Sequence, residues 1–360
     1  MFEIPKTGAL KSPPDYRRIY ISQLGLHEEL PESYFVDISK LDVWHQKKIG
    51  ACVGHAIGKY KQKLDEVDTG TPPKLSARFL YAMAKARDNY SGEGTYPNLV
   101  FKILKDIGCA TEKTCPNNTD LSHEEYVYMR DERNIPQSAI DEAYKAKIGG
   151  YAWVLKDKQS IKQAIVNAYG CACLVRLGNE WWTDIKGRYS QDPDKICPMR
   201  IPNPEVSGHE IWLYGYETLA DGDLKIYFLN SWSKSWGKSG SGWFLFSQYK
   251  TYIEEMITAI DIPNQLLEEA HNKPKTFSYH FTKSMAVGYE GEEVKKLQEA
   301  LTMTGDFDFE ITGYYGSITR KAVLDFQIRN CELSWYERNV MKGSKVGEKT
   351  LNALNKLFNK

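Results

Sequence analysis

The chain has 360 residues, enough for one large domain or two to three ordinary ones. Hydrophobic residues make up 42% and charged residues 26%, the balance of a globular protein with a real core. Lys+Arg and Asp+Glu both number 47, so no basic field favours nucleic acid and no acidic run offers a cation sink.

Residues 1–32 are polar and proline-punctuated, an arm rather than a folding unit. They lack the apolar core of a signal peptide, and no stretch of the chain approaches a membrane span. Synthesis in a cytoplasm is therefore expected, with a phage-delivered or cell-wall destination left open and no membrane partner.

From Leu75 the pattern reads helical: "LSARFLYAMAKARDNY", then "YPNLVFKILKDIG" with its glycine stop, the loop "SGEGT" lying between. Residues 120–145 are polar and helix-prone. An amphipathic helix is predicted over "KQSIKQAIVNAYG", followed by a strand-like run, "CACLVRL". Three more strand-like segments follow, "EIWLYGYE", "KIYFLNSW" and "GWFLFS". Helices early and strands late predict a segregated α+β domain over residues 33–262.

Residues 263–284 have the charge and proline content of a linker. Beyond it, "GEEVKKLQEALTMTG", "GSITRKAVLDFQIRNC" and "VGEKTLNALNKLF" predict three helices, enough for a small separate domain over residues 285–360.

The seven cysteines are odd in number and irregularly spaced, and the chain is too large to need stapling, so mostly reduced thiols are expected. Neither Cys109/Cys115 nor Cys171/Cys173 has a histidine at ligand-like spacing, so no metal and no cofactor is expected. A buried free cysteine is usually just a small hydrophobe. Cys52 differs in its company. It opens a small-residue stretch, "ACVGHAIGKY", that fits the first turns of a helix, and Gln46 precedes it by six positions. Downstream, "VSGHEIWLYGY" puts His209 ahead of an apolar strand, and "YFLNSWSKSWGKSGSGWF" puts Asn230 at the end of another. A thiol nucleophile needs a base, a group to orient it and donors for the oxyanion; this ordered set supplies all of them.

These three motifs resemble the papain family of cysteine peptidases over roughly residues 33–262. The resemblance implies a two-lobed fold, helical on one side and antiparallel β on the other, and an endopeptidase acting on polypeptides. It assigns Cys52 as nucleophile, His209 as base, Asn230 as its orienter and Gln46 as oxyanion donor beside the Cys52 N–H. Helix dipole and imidazolium would hold the resting pair as thiolate and charged histidine. Trp232 would cover the His209–Asn230 bond. Gly94 and Thr95, in "SGEGTY", would pair with an extended peptide, and Ser207 and Trp232 would border the substrate.

Several positions depart from the family. Ile49 replaces a cysteine, so one familiar disulfide is missing, and Val53 replaces a tryptophan. His55 stands where the family has an aromatic core residue, and a packing role is expected. Glu210 stands where a small residue is usual; an outward orientation is expected, and an inward one would raise the His209 pKa and alter the specificity pocket. The family's long helical propeptide has no counterpart before Cys52, so a short leader is expected, on the surface or across the cleft.

The tail resembles the small three-helix peptidoglycan-binding domain through Val294, Leu297, Gln298, Leu301, Gly313, Gly316, Thr319, Ala322, Val323, Phe326, Gln327, Gly347 and Thr350. Most of these are core or cap positions, which speak for the fold and not the ligand. Two functions stay open: an endopeptidase whose tail contacts peptidoglycan or another partner, and a lytic enzyme cutting peptidoglycan stem peptides. A catalytically dead binding protein is disfavoured by the intact motif set.

Overall fold

A computed structural model of the protein describes residues 7–13, 18–24, 29–117, 127–128, 130–178, 197–198, 205–260, 277–304, 306–307 and 311–358. Two units separate, Met1–His271 and Asn272–Lys360. No described helix is long and apolar enough to cross a membrane.

The first unit is organised around helix α1 (Cys52–Thr69), whose residues are buried from Cys52 to Glu66. A helix so enclosed must neutralise its charges internally, and it does: Lys61 meets Asp65 at 2.9 Å and Lys63 meets Glu66 at 2.8 Å. It stops at Gly70, whose left-handed φ of +75° lets its N–H bond the Glu66 carbonyl. Helix α2 (Ala77–Lys85) starts where the Ser76 hydroxyl accepts the Phe79 N–H, and α3 (Pro97–Asp106) opens on a proline. Both pack on α1 to make the helical side. Short α4 (Gln137–Glu142) follows; within the stretch 120–145 read as helix-prone, residues 120–126 and 129 lie outside the described residues. Helix α5 (Lys158–Asn167) is capped by Asp157.

The other side is one sheet. Its strands are β1 (Ser33–Phe35), β2 (Gly150–Trp153), β3 (Cys171–Gly178), β4 (Cys197–Pro198), β5 (Glu205–Thr218), β6 (Leu224–Leu229), β7 (Ser241–Leu245) and β8 (Ile253–Ile260). They run in the order β2-β8-β3-β5-β6-β7-β4, with β1 added to β5. All pairs are antiparallel except β4 with β7. The segment "GWFLFS" is strand only to Leu245, because Phe246–Tyr249 turns into a short helix, α6.

Strand β5 positions the site. Its first half pairs with β3, while β6 pairs only from Trp212 onward. His209 therefore lies past the end of β6, where the chain leaving Leu229 must pass beside it. The cysteines whose side chains are described, Cys52, Cys109, Cys115, Cys171, Cys173 and Cys331, are all free.

The second unit holds α7 (Glu292–Met303), α8 (Ser317–Asn330), α9 (Glu348–Phe358) and a two-stranded ribbon, β9 (Met285–Ala286) with β10 (Lys345–Val346). Its core includes Val294, Leu297, Leu301, Tyr315, Val323, Phe326 and Leu354. Gln298 and Gln327, two of the motif positions, act as buried staples. Gln298 donates to the Tyr314 carbonyl and the Thr319 hydroxyl and accepts the Gly313 N–H at 2.9 Å. Gln327 donates to Lys345 O and Thr350 Oγ1. The unit also begins earlier than the expected linker allows. Phe281 and Asn355 exchange two hydrogen bonds, which fastens the segment from residue 277 onto α9.

Candidate active site

The α1 N-terminus and the strand ends meet in one place. The Gln46 N–H donates to Ser231 O at 3.0 Å, and His45 bridges Trp232, so the loop before α1 is zipped to the loop after β6. The backbone of Glu210 lies near enough to the Cys52 thiol to lower its pKa, which sets the residue next to His209 close to the sulfur. His209 Nε2 lies 2.8 Å from Asn230 Oδ1. Trp232 lies over the imidazole with ring centroids 4.6 Å apart, and neither side chain has measurable exposure. Gln46 is also buried: its amide donates to Ile49 O at 3.0 Å and accepts from Ser231 Oγ at 2.5 Å. Cys52, His209, Asn230, Gln46 and Trp232 are thus gathered into one cluster. The backbone of Ser207 lies on β5, two residues from His209; its side chain lies outside the described residues.

The chain's own arm lies in this groove. Residues 7–12 are extended, and Ala9 pairs with Thr95 as a parallel bridge. The Thr95 N–H donates to Gly8 O at 2.9 Å, the Leu10 N–H to Thr95 O at 3.0 Å and the Ala9 N–H to Gly208 O at 3.2 Å. Gly94 and Thr95 are expected to pair with an extended peptide; the backbone of Thr95 pairs with the arm, while the Gly94 N–H donates to the Tyr81 hydroxyl. The approach requires glycine. Gly94 has φ +97°, and a Cβ there would sit 2.0 Å from Gly8 O. Lys85 organises the receiving loop, its buried ammonium donating to the carbonyls of Tyr90, Gly92 and Gly94.

With the arm in place the polar groups are dry. Burial pushes the Cys52 thiol up to about 12, against backbone hydrogen bonds from Glu210, Gly8 and Val53, and the Glu210 carboxylate adds to the rise. Burial takes His209 down to about 4, despite its bond to Asn230. Burial thus works against the charged form of each group, opposite in direction to the thiolate and charged histidine expected from sequence.

Glu210 corrects a second expectation. It points inward, 1% exposed, and burial together with the charge of Glu255 holds its pKa well above the carboxylate range. His209 is not raised in consequence, because its own burial dominates. His55 packs as expected: Nδ1 lies 2.8 Å from Ala51 O, the ring meets Trp44 edge-on, and burial lowers its pKa to about 4. Among the described residues no group of three His, Cys, Asp or Glu side chains is arranged to hold a metal ion.

Sequence reasoning missed Ser12, Lys85, Ser231 and Glu255. Only Ser231, inside "NSW", carried a local signal.

A helical side packed with an antiparallel β side, and a buried thiol at a helix start, lead to the class of cysteine proteases, which are hydrolases. Residues 37–260, more than half of the chain, match the papain family cysteine protease model, and the chain belongs to that family. Residues 290–333 match a peptidoglycan binding domain. Among solved structures, xylellain, a cysteine protease from Xylella fastidiosa, is similar at TM-score 0.59 and 17% identity, covering 71% of this chain and 96% of that one. A procathepsin B from Trypanosoma congolense is similar at TM-score 0.52 and 13% identity, covering 71% and 86%. The proform of the ragweed pollen protease Amb a 11 is similar at TM-score 0.51 and 16% identity, covering 66% and 67%. At these identities the likeness speaks for the fold alone. The comparison with curated protein sequences found no match.

Proposed function

We propose that the protein is an endopeptidase whose nucleophile is Cys52, held in check by residues 7–12. Once the arm leaves, water returns and the thiol pKa falls, because burial was the largest cause of its rise. His209 then takes the thiol proton on Nδ1, the nitrogen not facing Asn230. Cys52 Sγ attacks the peptide carbonyl and forms an S–C bond. The oxyanion is held by the Cys52 N–H and an N–H of the Gln46 amide, whose orientation is fixed by Ser231. His209 passes its proton to the departing amine as the C–N bond breaks, and water, deprotonated by the same ring, releases the acyl group. Asn230 holds the ring and Trp232 keeps water from that bond.

The observation that carries this reading is the convergence of Cys52, His209, Asn230 and Gln46 from three separate segments beneath a strand-paired peptide. The second unit is read as the targeting module, giving peptidoglycan contact through residues 285–360, with polypeptide as substrate. The alternative, hydrolysis of stem peptides within peptidoglycan, is supported by the same match to a peptidoglycan binding domain. A casein digest beside a wall-clearing assay separates them. Casein cleavage without clearing supports the endopeptidase; clearing without casein cleavage supports the lytic enzyme. Loss of casein cleavage in Cys52→Ala is required by the mechanism.

A further inference from the structure

Two neighbouring aromatic rings of the second unit stand in water. Trp335 is 74% exposed and Tyr336 is 59% exposed. The other tryptophans whose side chains are described are buried or half-buried, as is usual for so large an apolar group. Both rings lead into a π-helical segment, Glu337–Met341, that is fastened at each end. At its start the Ser334 N–H donates to Glu337 Oε2 at 2.8 Å, and the Glu337 N–H donates to the Ser334 hydroxyl at 3.3 Å. The Lys349 ammonium, from α9, donates to the same carboxylate at 2.9 Å and to Glu332 O at 3.1 Å. At its end Arg320 Nε, from α8, donates to Lys342 O at 3.0 Å, and the Tyr315 hydroxyl donates to Gly343 O at 2.7 Å. Gly343 has φ +72°, and a Cβ there would sit 2.2 Å from Arg320 O, so the turn is seated closely on α8. The rings are displayed on a braced support.

The matched motif offers a ligand little. Gln298, Thr319 and Gln327 are buried and bonded within the fold, and Val294, Leu297 and Phe326 are core. The match ends at residue 333, just before the two rings. Polar groups border them. Asn339 Nδ2 donates to Trp335 O at 3.0 Å, which holds an amide beside the tryptophan, and the exposed Arg338 adds guanidinium donors. Such a combination suits a sugar. A pyranose ring has a face of weakly positive C–H groups that stacks on the negative face of an aromatic ring, while its hydroxyl and acetamido groups need hydrogen-bond partners at the edge. The glycan strand of peptidoglycan, a run of N-acetylated amino sugars, repeats that chemistry along its length. A membrane surface fits poorly, because Glu332 and Glu337 stand among Arg338, Lys342 and Lys349 and no basic field accompanies the rings.

We propose that Trp335 and Tyr336 form a glycan-binding platform that stacks on the sugar rings of peptidoglycan, with Asn339 and Arg338 bonding the polar groups at their edge. This rests on the reading of the second unit as the peptidoglycan contact. It names where that contact is made and with which chemistry, the sugar strand and not the stem peptides.

The test sediments the full chain, carrying Cys52→Ala so that no wall is cut, with three particles: purified peptidoglycan, peptidoglycan stripped of its stem peptides by an amidase, and phosphatidylglycerol vesicles. This parent should sediment with both wall preparations and not with the vesicles. Adding Trp335→Ala should weaken binding to both about tenfold, the worth of one aromatic contact, and Tyr336→Ala should weaken it in the same direction. Trp335→Phe keeps a ring face and should stay within about threefold of the parent. Tyr289→Ala, which removes another exposed ring of this unit, should bind as the parent does. All four should melt with the parent, since an exposed side chain supports little of the fold. Undiminished binding by both Trp335→Ala and Tyr336→Ala would overturn the platform and leave the peptidoglycan contact standing. Binding to intact but not to stripped peptidoglycan would make the stem peptide the ligand and overturn the sugar assignment. Failure to sediment with either wall preparation, with or without binding to vesicles, would overturn the peptidoglycan reading and the platform with it.

Discussion

The carbonyl of Gly8 accepts the Thr95 N–H at 2.9 Å, and through that bond the protein binds its own chain where a substrate strand would pair. Strand addition of this kind takes its affinity from main-chain bonds, so the arm competes with any peptide for the same donors and acceptors.

Loosening the arm should therefore activate the enzyme. Ala9→Pro in the full chain removes the donor to Gly208 O, a loss of about 0.5–1.5 kcal/mol for one hydrogen bond. Peptidase kcat/KM should rise about threefold to tenfold on that basis. Alkylation of Cys52 near neutral pH should accelerate too, since a thiol held at about 12 by burial gains thiolate as water returns. Unchanged rates in both assays would place the inhibitory role elsewhere.

Asn230 and Gln46 should fail differently. Asn230→Ala leaves His209 present but unoriented, so kcat should drop while a measurable residue of activity survives. Gln46→Ala removes an oxyanion donor that acts in the transition state, and kcat should fall about 10²–10³-fold with little change in KM. Because Ser231 bonds Gln46, Ser231→Ala should show the same kcat defect in milder form. Wild-type turnover in Gln46→Ala would mean that another group holds the oxyanion.

Acid should destabilise the first unit through its buried histidines. His55 and His209 are lowered from an ordinary 6.5 to about 4 by burial. The unfolded chain takes up their protons first as pH falls, so the stability they contribute is complete above about 6.5 and is lost on the way down to about 4. Each histidine can account for about 3 kcal/mol over that window. Glu210, raised by burial, acts with the opposite sign: stability is lost as pH rises through its unfolded value. Comparing His55→Phe with wild type isolates one histidine. The variant should lose less melting temperature between pH 7 and pH 4; parallel curves would contradict the shift.

In the second unit, Gln298→Ala strands the buried Gly313 N–H, whereas the Tyr314 carbonyl keeps the Thr319 hydroxyl and the Gly316 N–H as donors. An unsatisfied buried group costs about 1–3 kcal/mol, so the melting temperature of residues 272–360 should drop by roughly 5 °C or more, or the unit should not fold. Peptidoglycan sedimentation by the intact unit tests the ligand separately, because these glutamines serve the fold.

Much of this was legible in the sequence because the signals were local. Gln46, Cys52, His209 and Asn230 announce themselves by residue type and order, and Ser76, Pro97 and Gly70 mark helix ends through their own backbone chemistry. Strand β8 was not legible. Its run "IEEMITAI" breaks the apolar alternation with two glutamates, and one of them, Glu255, is buried. The inward turn of Glu210 was equally hidden, since it depends on the register of β5 against β3, whose partner residue Leu174 lies far away in the chain.

The most direct measurement is to treat the full chain with a thiol-directed epoxide, map the modified residue, and assay peptide cleavage on the same samples. Modification should fall on Cys52, in step with loss of cleavage, and Cys52→Ala should neither cleave nor take the label. Labelling of Cys109, Cys171 or Cys173 instead, with Cys52→Ala still cutting peptides, would contradict the assignment outright.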